Sequence, residues 1–556
     1  MTDYSYVDPR LLILGGPDRF TRQVERLLGQ LGYADVINID GSGDKGGDLL
    51  ATISGTQWVF QCKWQRRGSV PQAGVNEVSE AMDHYRAERG VVVTNVVPSR
   101  DADTRRLALA RIGQRIDFWT GHDLTQLWDQ SSDRGPRIRL RDYQREAVAA
   151  LIDDLDTEGR ALLVLATGLG KTVVGGEVIS HHLDLDPTAD ILVAAHTKEL
   201  VAQLERSLWR HLPKTVKTQI LTGDEKPSDL RGVTFATVAS ALNAARGGYR
   251  PALVMIDETH HVGEDGHYSA LLDELKDSSQ FGVTATPWRG DKYDIEDHFG
   301  PASYKLGIEE GMRRGYLAQV DYRLFVDNID WDVVKDASRR AYSMKELNSK
   351  LFLPQRDEAV RDELLAAWNS TLDPRAIVFC QTIEHAERMA NLLSRTPEWH
   401  NVKAIHTGPG LSMRERQLRL LDFRAGRIPI LTAVDILNEG VDVPDVNIIC
   451  FARVTHSRRI FVQQLGRGLR LREGKHKVIA LDFVSDLRRV AAVLNLRRQT
   501  GADEIEVIPD VPLPQISFSD AKAESLLEQW ILDAASLETA NDDARLQFID
   551  PEIPAS

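Results

Sequence analysis

Short apolar runs separated by polar or glycine-rich breaks recur along the chain. Val91-Val-Val-Thr94, Ala161-Leu-Leu-Val-Leu165, Ala252-Leu-Val-Met-Ile256, Phe281-Gly-Val-Thr284, Ala376-Ile-Val-Phe-Cys380 and Ile430-Leu-Thr432 are all of this kind. Each has the length of a buried strand rather than of a helix. Near the N-terminus the pattern predicts a helix over Phe20–Leu31, a glycine-rich turn over Gly41–Gly47, and strands near Asp48–Ile53 and Trp58–Trp64. A second helix is predicted near Asn76–Ala87, before the Val91 strand. Ser131-Ser-Asp-Arg-Gly-Pro136 reads as a polar linker because its breaker residues oppose regular structure. The result is an α/β chain with modules at 1–130, 137–305 and 306–498, and a tail at 499–556. In the tail, Leu526, Leu527, Trp530 and Ile531 fall at helical spacing within Ala523–Leu537.

Composition changes this picture little. At 556 residues, with 42% hydrophobic and 27% charged positions, the chain has room for several globular cores. No stretch approaches the ~20 apolar residues of a membrane span, and Met-Thr-Asp-Tyr lacks the features of a secretory signal. Cys62, Cys380 and Cys450 are widely spaced in strand-like surroundings, as expected of reduced thiols in a cytoplasm without membrane contact.

Charge matters more through its distribution than its sum. Of the net −14, the last 56 residues carry −11, from 13 Asp/Glu against Lys522 and Arg545. Between Arg453 and Lys477, eight Lys/Arg face the single Glu473. A basic stretch of this density suits phosphate contacts, and the acidic tail does not. The tail has two readings, a solvated docking segment or a DNA mimic.

The loop Ala166-Thr-Gly-Leu-Gly-Lys-Thr172 lies between an apolar strand and a helix-compatible stretch. Backbone N–H groups of Thr167, Gly168, Leu169 and Gly170 can approach phosphate oxygens there, with Lys171 reaching the β/γ-phosphates and Thr172 holding Mg²⁺. Leu165 stands where the strict phosphate-loop motif has its first glycine. Asp257-Glu-Thr-His260 ends another apolar run, so Asp257 can complete a Mg²⁺ shell while Glu258 polarises the attacking water. Together the two motifs predict ATP hydrolysis. Upstream, Gln144 in Arg141-Asp-Tyr-Gln144 can read adenine, or can be an ordinary helix residue.

Further motifs follow in order: Thr284-Ala-Thr286-Pro287, Ile405-His-Thr-Gly408, Glu439-Gly-Val-Asp442, and Gln463-Gln-Leu-Gly-Arg467-Gly-Leu-Arg470. Arg467 and Arg470, three apart, share a face if helical. The series from Arg141 to Arg470 resembles a superfamily 2 helicase or translocase of the Asp-Glu-x-His kind, close to type I/III restriction motors and related repair helicases. The resemblance implies two RecA-like parallel-sheet lobes with ATP in the cleft between them. Lys171, Thr172, Asp257 and Glu258 would come from the first lobe, and Asp442, Gln463, Arg467 and Arg470 from the second. Thr259 departs from the more usual Ala.

The N-terminal module carries other chemistry. Strand alternation puts Gln61 and Lys63 on one face, near Asp48 at the start of the neighbouring strand. Asp48 can bind Mg²⁺, Gln61 can add an oxygen ligand, and Lys63 can orient or deprotonate water. The bland alternative is a surface Lys and a turn Asp. Leu27-Leu-Gly-Gln-Leu-Gly-Tyr33, the Gly/Asp turn, Gln61-Cys-Lys63 and Val91–Thr94 resemble Mrr-type restriction endonucleases of the PD-(D/E)xK fold. Thr21 stands where that family often has an acid, and Glu25, one turn later, is the expected substitute as metal ligand. The expectation is an ATP- and Mg²⁺-dependent motor fused to a nuclease, acting on double-stranded DNA in restriction, with a partner protein possible in recognition. The alternatives are a repair helicase whose N-terminal domain only binds DNA or a partner, and an RNA helicase.

Overall fold

The computed structural model describes residues 17–39, 46–135, 138–227, 229–259, 266–285, 295–325, 342–343, 357–434, 446–452, 477–483 and 545–546. The chain divides into two compact units. The first comprises residues 1–163, 170–284 and 295–304; the second comprises 164–169, 285–294 and 305–556.

The first unit opens with helix α1 (Pro17–Gln30), then strands β1 (Ala34–Asn38), β2 (Leu49–Ile53) and β3 (Thr56–Lys63). Helix α2 (Gln72–Tyr85), strand β4 (Arg89–Thr94), helix α3 (Arg100–Arg111), strand β5 (Arg115–Trp119) and helix α4 (Gly121–Gln130) follow. The five strands form one sheet in chain order. β1 to β3 are antiparallel neighbours, whereas β3, β4 and β5 run parallel. Both predicted helices are present, and α2 begins earlier than expected because Pro71 serves as its extended N-cap. Phe20, Val24, Leu27 and Leu28 of α1 pack with Phe60, Val91 and Val93 of the sheet in one apolar cluster. Their spacing covers one helical face. The opposite stripe of α1 is polar, yet Glu25 and Arg26 are also buried.

Helix α5 (Asp142–Glu158) leads into a seven-stranded sheet. Its strands are β6 (Arg160–Leu165), β7 (Ile191–Ala195), β8 (Thr218–Leu221), β9 (Val233–Thr237), β10 (Leu253–Asp257), β11 (Ser279–Thr284) and β12 (Tyr304–Leu306). Their order is β8-β9-β7-β10-β11-β6-β12. The pairings β8–β9, β9–β7, β7–β10 and β10–β11 are parallel. Parallel strands buried on both faces read as continuous apolar runs, which is why they were legible. Helices α6 (Lys171–Leu185), α7 (Lys198–Leu208) and α8 (Val238–Arg246) make the crossovers. The segment expected to be a linker is fastened down instead. Lys214 donates to the carbonyls of Trp128 and Ser131, and the N–H of Lys214 donates to the carbonyl of Asp133.

The second unit holds a six-stranded sheet in which every pairing is parallel. Its strands are β13 (Gln319–Phe325), β14 (Ala376–Cys380), β15 (Lys403–Ile405), β16 (Ile430–Ala433), β17 (Ile448–Ala452) and β18 (Lys477–Phe483), ordered β13-β18-β17-β14-β16-β15. Val378, Ile430, Ile448 and Leu481 meet Met389, Leu393 and Trp399 in its core. Cys380 and Cys450 are buried and outside any disulfide, and burial pushes the Cys380 thiol up.

Candidate active sites

The phosphate loop leaves the carboxyl end of β6 and enters α6, the place where open parallel sheets bind ligands. Gly168 and Gly170 take φ values of +88° and +86°, a region costly for any residue with a Cβ, and Gly170 is the N-cap of α6. A Cβ on Gly170 would also fall 2.7 Å from Nε2 of Gln144. Gln144 is buried against this loop, and its Oε1 accepts from the N–H of Arg141 at 3.0 Å. Gln144 therefore lies directly against Gly170 of the loop.

Asp257 is the last residue of β10, and Glu258 follows at φ +50°, unusual for a side chain of its size. That turn aims Glu258 at the phosphate-loop lysine, and Lys171 Nζ donates to Glu258 Oε1 at 2.7 Å. Their side chains are only 11% and 15% exposed. Thr284 ends the intervening strand β11, fully buried. Thr259 is also fully buried, and its methyl faces Gly282 of β11. Thr172 lies in the first turn of α6. His260, Thr286, Asp442, Gln463, Arg467, Arg470 and the tail helix Ala523–Leu537 lie outside the described residues.

In the N-terminal sheet, Asp48 Oδ2 accepts from Gln61 Nε2 at 3.0 Å and from the N–H of Cys62 at 2.6 Å. Asp48 and Gln61 are both buried. Gln61 Oε1 is buried without a hydrogen-bond partner, an arrangement that costs free energy unless an electropositive group approaches. An oxygen ligand to a hard cation fits this atom. Among the described residues no cluster of three or more His, Cys, Asp or Glu side chains is placed to hold a metal. Among the described residues, the oxygen donors brought together here are the Asp48 carboxylate and the Gln61 amide. Lys63 continues β3 on the same face, and its Nζ pairs with Glu77 Oε2 at 2.6 Å. Sequence reasoning missed Glu77. It lies 14 residues beyond Lys63 on α2, and nothing in local spacing announces that α2 folds back over the end of β3.

Glu25, the expected substitute metal ligand, has as its described partner Arg206 of α7, at 2.6 Å. Burial raises its carboxyl above the ordinary value, with Arg206 pulling it back. The physical reason is that α1 has two covered faces, and Glu25 lies on the one turned to the seven-stranded sheet's helices.

Three family models match the chain. Residues 16–128 match the restriction endonuclease (Mrr catalytic) model, and residues 137–289 match the type III restriction enzyme, res subunit. Residues 355–472 match the helicase conserved C-terminal domain. A Schizosaccharomyces pombe protein, assigned by name as a mitochondrial ATP-dependent helicase, is 30% identical over 369 residues, covering 64% of this chain and 59% of that one. The Escherichia coli type I restriction enzyme EcoAI endonuclease subunit is 26% identical over 410 residues, covering 67% of this chain and 50% of its own. Among solved structures, the ATP-dependent Type ISP restriction-modification enzyme LlaBIII bound to DNA matches 97% of this chain and 42% of its own, at TM-score 0.51 and 17% identity, which supports the fold. The chain spans 59% and 50% of the length of these two curated relatives.

Proposed function

We propose that this chain, in which an Mrr-type restriction-endonuclease domain precedes both halves of a superfamily 2 helicase, hydrolyses ATP to move along double-stranded DNA and cuts that DNA with its N-terminal domain. The observation that supports the reading is two separate groupings of polar side chains on one chain: Lys171 with Glu258, and Asp48 with Gln61 next to Lys63 on β3.

In the motor, Lys171 binds the β/γ-phosphates and Glu258 aligns the attacking water. The observed Lys171–Glu258 ion pair must therefore open when nucleotide binds. Thr172 and Asp257 would hold the Mg²⁺ that accompanies ATP. Asp442 and Gln463 complete the nucleotide contacts, and Arg467 and Arg470 stabilise charge on the transferred phosphoryl group. In the nuclease, Asp48 and Gln61 Oε1 would hold a divalent ion, which supplies charge neutralisation and a polarised water. Lys63 orients that water and offsets charge on the scissile phosphate.

Similarity to restriction enzymes supports a role in defence against foreign DNA, with a partner subunit assisting recognition. No helix among the described residues is long and apolar enough to cross a membrane. A second reading, an N-terminal domain that binds DNA without cutting it, draws on the engagement of Glu25 with Arg206 and of Glu77 with Lys63, which occupies two acids that a nuclease site could use. Plasmid incubated with Mg²⁺, ATP and purified protein separates the two. Cleavage that disappears in Asp48→Ala supports the first reading, and intact plasmid bound by the wild-type protein supports the second.

A further inference from the structure

Helix α1 presents Arg22, Glu25 and Arg26, at helical spacing, to the helices and loops of the seven-stranded sheet. Arg22 donates from Nη2 to both carboxylate oxygens of Glu205 at 2.8 and 2.9 Å, and from Nη1 to Glu225 at 3.2 Å. Glu25 pairs with Arg206. Arg26, fully buried, donates to the carbonyls of Pro213 and Val216 and to Thr218 Oγ1, at 3.3, 3.0 and 3.2 Å. Thr218 also accepts from Trp209 Nε1 at 3.1 Å. The adjoining turn, Trp209–His211, lies on α6, the helix that begins at Lys171. His211 Nδ1 meets Glu177 Oε1 at 2.8 Å, and its ring sits so close to Gly176 that a Cβ there would fall 2.6 Å away.

Glu25 and Arg26 of α1 and Glu205 facing them are charged groups withdrawn from water outside both reaction centres, and they call for an explanation. Two covalently linked domains need no such seam to stay together, and a charged seam gains little over an apolar one. What it supplies is a single register, because each guanidinium fits one set of acceptors. We infer that α1 is a coupling joint: Arg22, Glu25 and Arg26 hold the nuclease domain in one fixed seat on the first motor sheet, one packed turn away from the phosphate-loop helix. The inference rests on the motor–nuclease reading above. It makes Arg22 and Glu205 positioning residues for DNA cleavage that ATP hydrolysis does not require.

The test uses the full chain with a protease site inserted at 136–137, in wild-type, Arg22→Met, Glu205→Gln and doubly substituted forms. Arg22→Met leaves the buried Glu205 carboxylate without this counter-ion, Glu205→Gln leaves Arg22 with only the exposed Glu225, and the double change removes both charges. After nicking, the wild-type halves should co-elute and those of each single variant should separate. Without nicking, each single variant should keep DNA-stimulated ATPase near the wild-type rate. Its plasmid cleavage should fall on the order of tenfold or more, the scale of a misplaced reacting group. The double variant should recover much of both co-elution and cleavage. Halves of the single variants that stay together, or ATPase and cleavage that fall in step, would overturn the joint. If the wild-type protein does not cut at all, the nuclease reading fails, and the co-elution arm still decides whether α1 is the seat.

Discussion

Gly282→Ala offers a sharp test of how the Asp257-Glu-Thr turn is packed. A Cβ built on Gly282 falls 2.4 Å from Thr259 Cγ2 and 3.1–3.2 Å from the ring of Phe299. Gly282 pairs with Ile256 in the middle of the parallel sheet, so neither backbone can move aside cheaply. Overpacking of this kind costs about 1–3 kcal/mol. Thr259→Ala removes the closer clash. It also removes a hydroxyl that is buried without a hydrogen-bond partner, which recovers about 1–3 kcal/mol against about 1 kcal/mol of lost methyl burial. Thr259→Ala alone should therefore be neutral or slightly stabilising, and in the Gly282→Ala background it should restore most of the loss. Since about 1 kcal/mol moves the midpoint of a domain this size by roughly 2–4 °C, thermal unfolding followed by circular dichroism resolves each step. ATPase should track the same order, because Thr259 adjoins Glu258. Gly282→Ala as stable as wild type, or no rescue by Thr259→Ala, would refute the packing argument.

Other consequences follow from single contacts. Glu258→Gln should leave nucleotide bound while slowing hydrolysis, read as retained ATP-analogue binding with lost DNA-stimulated turnover; turnover at the wild-type rate would remove Glu258 from the site. Glu77→Gln should shift the thermal midpoint little, since the half-exposed pair with Lys63 is worth roughly 0–1 kcal/mol, and a large loss of stability would show that Glu77 holds up the fold. Burial works to raise the Asp321 carboxyl, but Arg323 and Lys477 outweigh it and hold it below its ordinary value. The stability it contributes is thus present above the ordinary Asp range and lost as pH falls through the depressed value. Asp321→Asn should flatten that acid limb in pH-dependent unfolding, and superimposable acid limbs would contradict the assignment.

Much of this architecture was legible because parallel strands covered on both faces leave apolar runs in the sequence, and because the phosphate loop needs glycines where φ is positive. Gly168, Gly170, Lys171 and Asp257 were readable one by one for that reason. Glu25 was not. Periodicity tells which residues share a helix face, but not that α1 is covered on two sides, so the pairing of Glu25 with Arg206 could not be read from it. Glu77 escaped for the opposite reason, since its importance lies in how α2 packs over β3 rather than in any motif. Gln144 was expected to read adenine, but its closeness to Gly170 was not legible, because that depends on where α5 lies. The fastening of the Ser131–Gly135 segment by Lys214 was likewise hidden behind residues whose local preference is a loose turn.

The most direct measurement is plasmid cleavage by the full chain with Mg²⁺, with and without ATP, alongside Lys171→Ala and Asp48→Ala and with ATPase recorded in the same samples. The account predicts that Asp48→Ala hydrolyses ATP on DNA at close to the wild-type rate but leaves the plasmid intact. Lys171→Ala should hydrolyse no ATP and lose ATP-dependent cleavage. ATP-dependent cleavage persisting in Asp48→Ala, or ATPase surviving in Lys171→Ala, would contradict it.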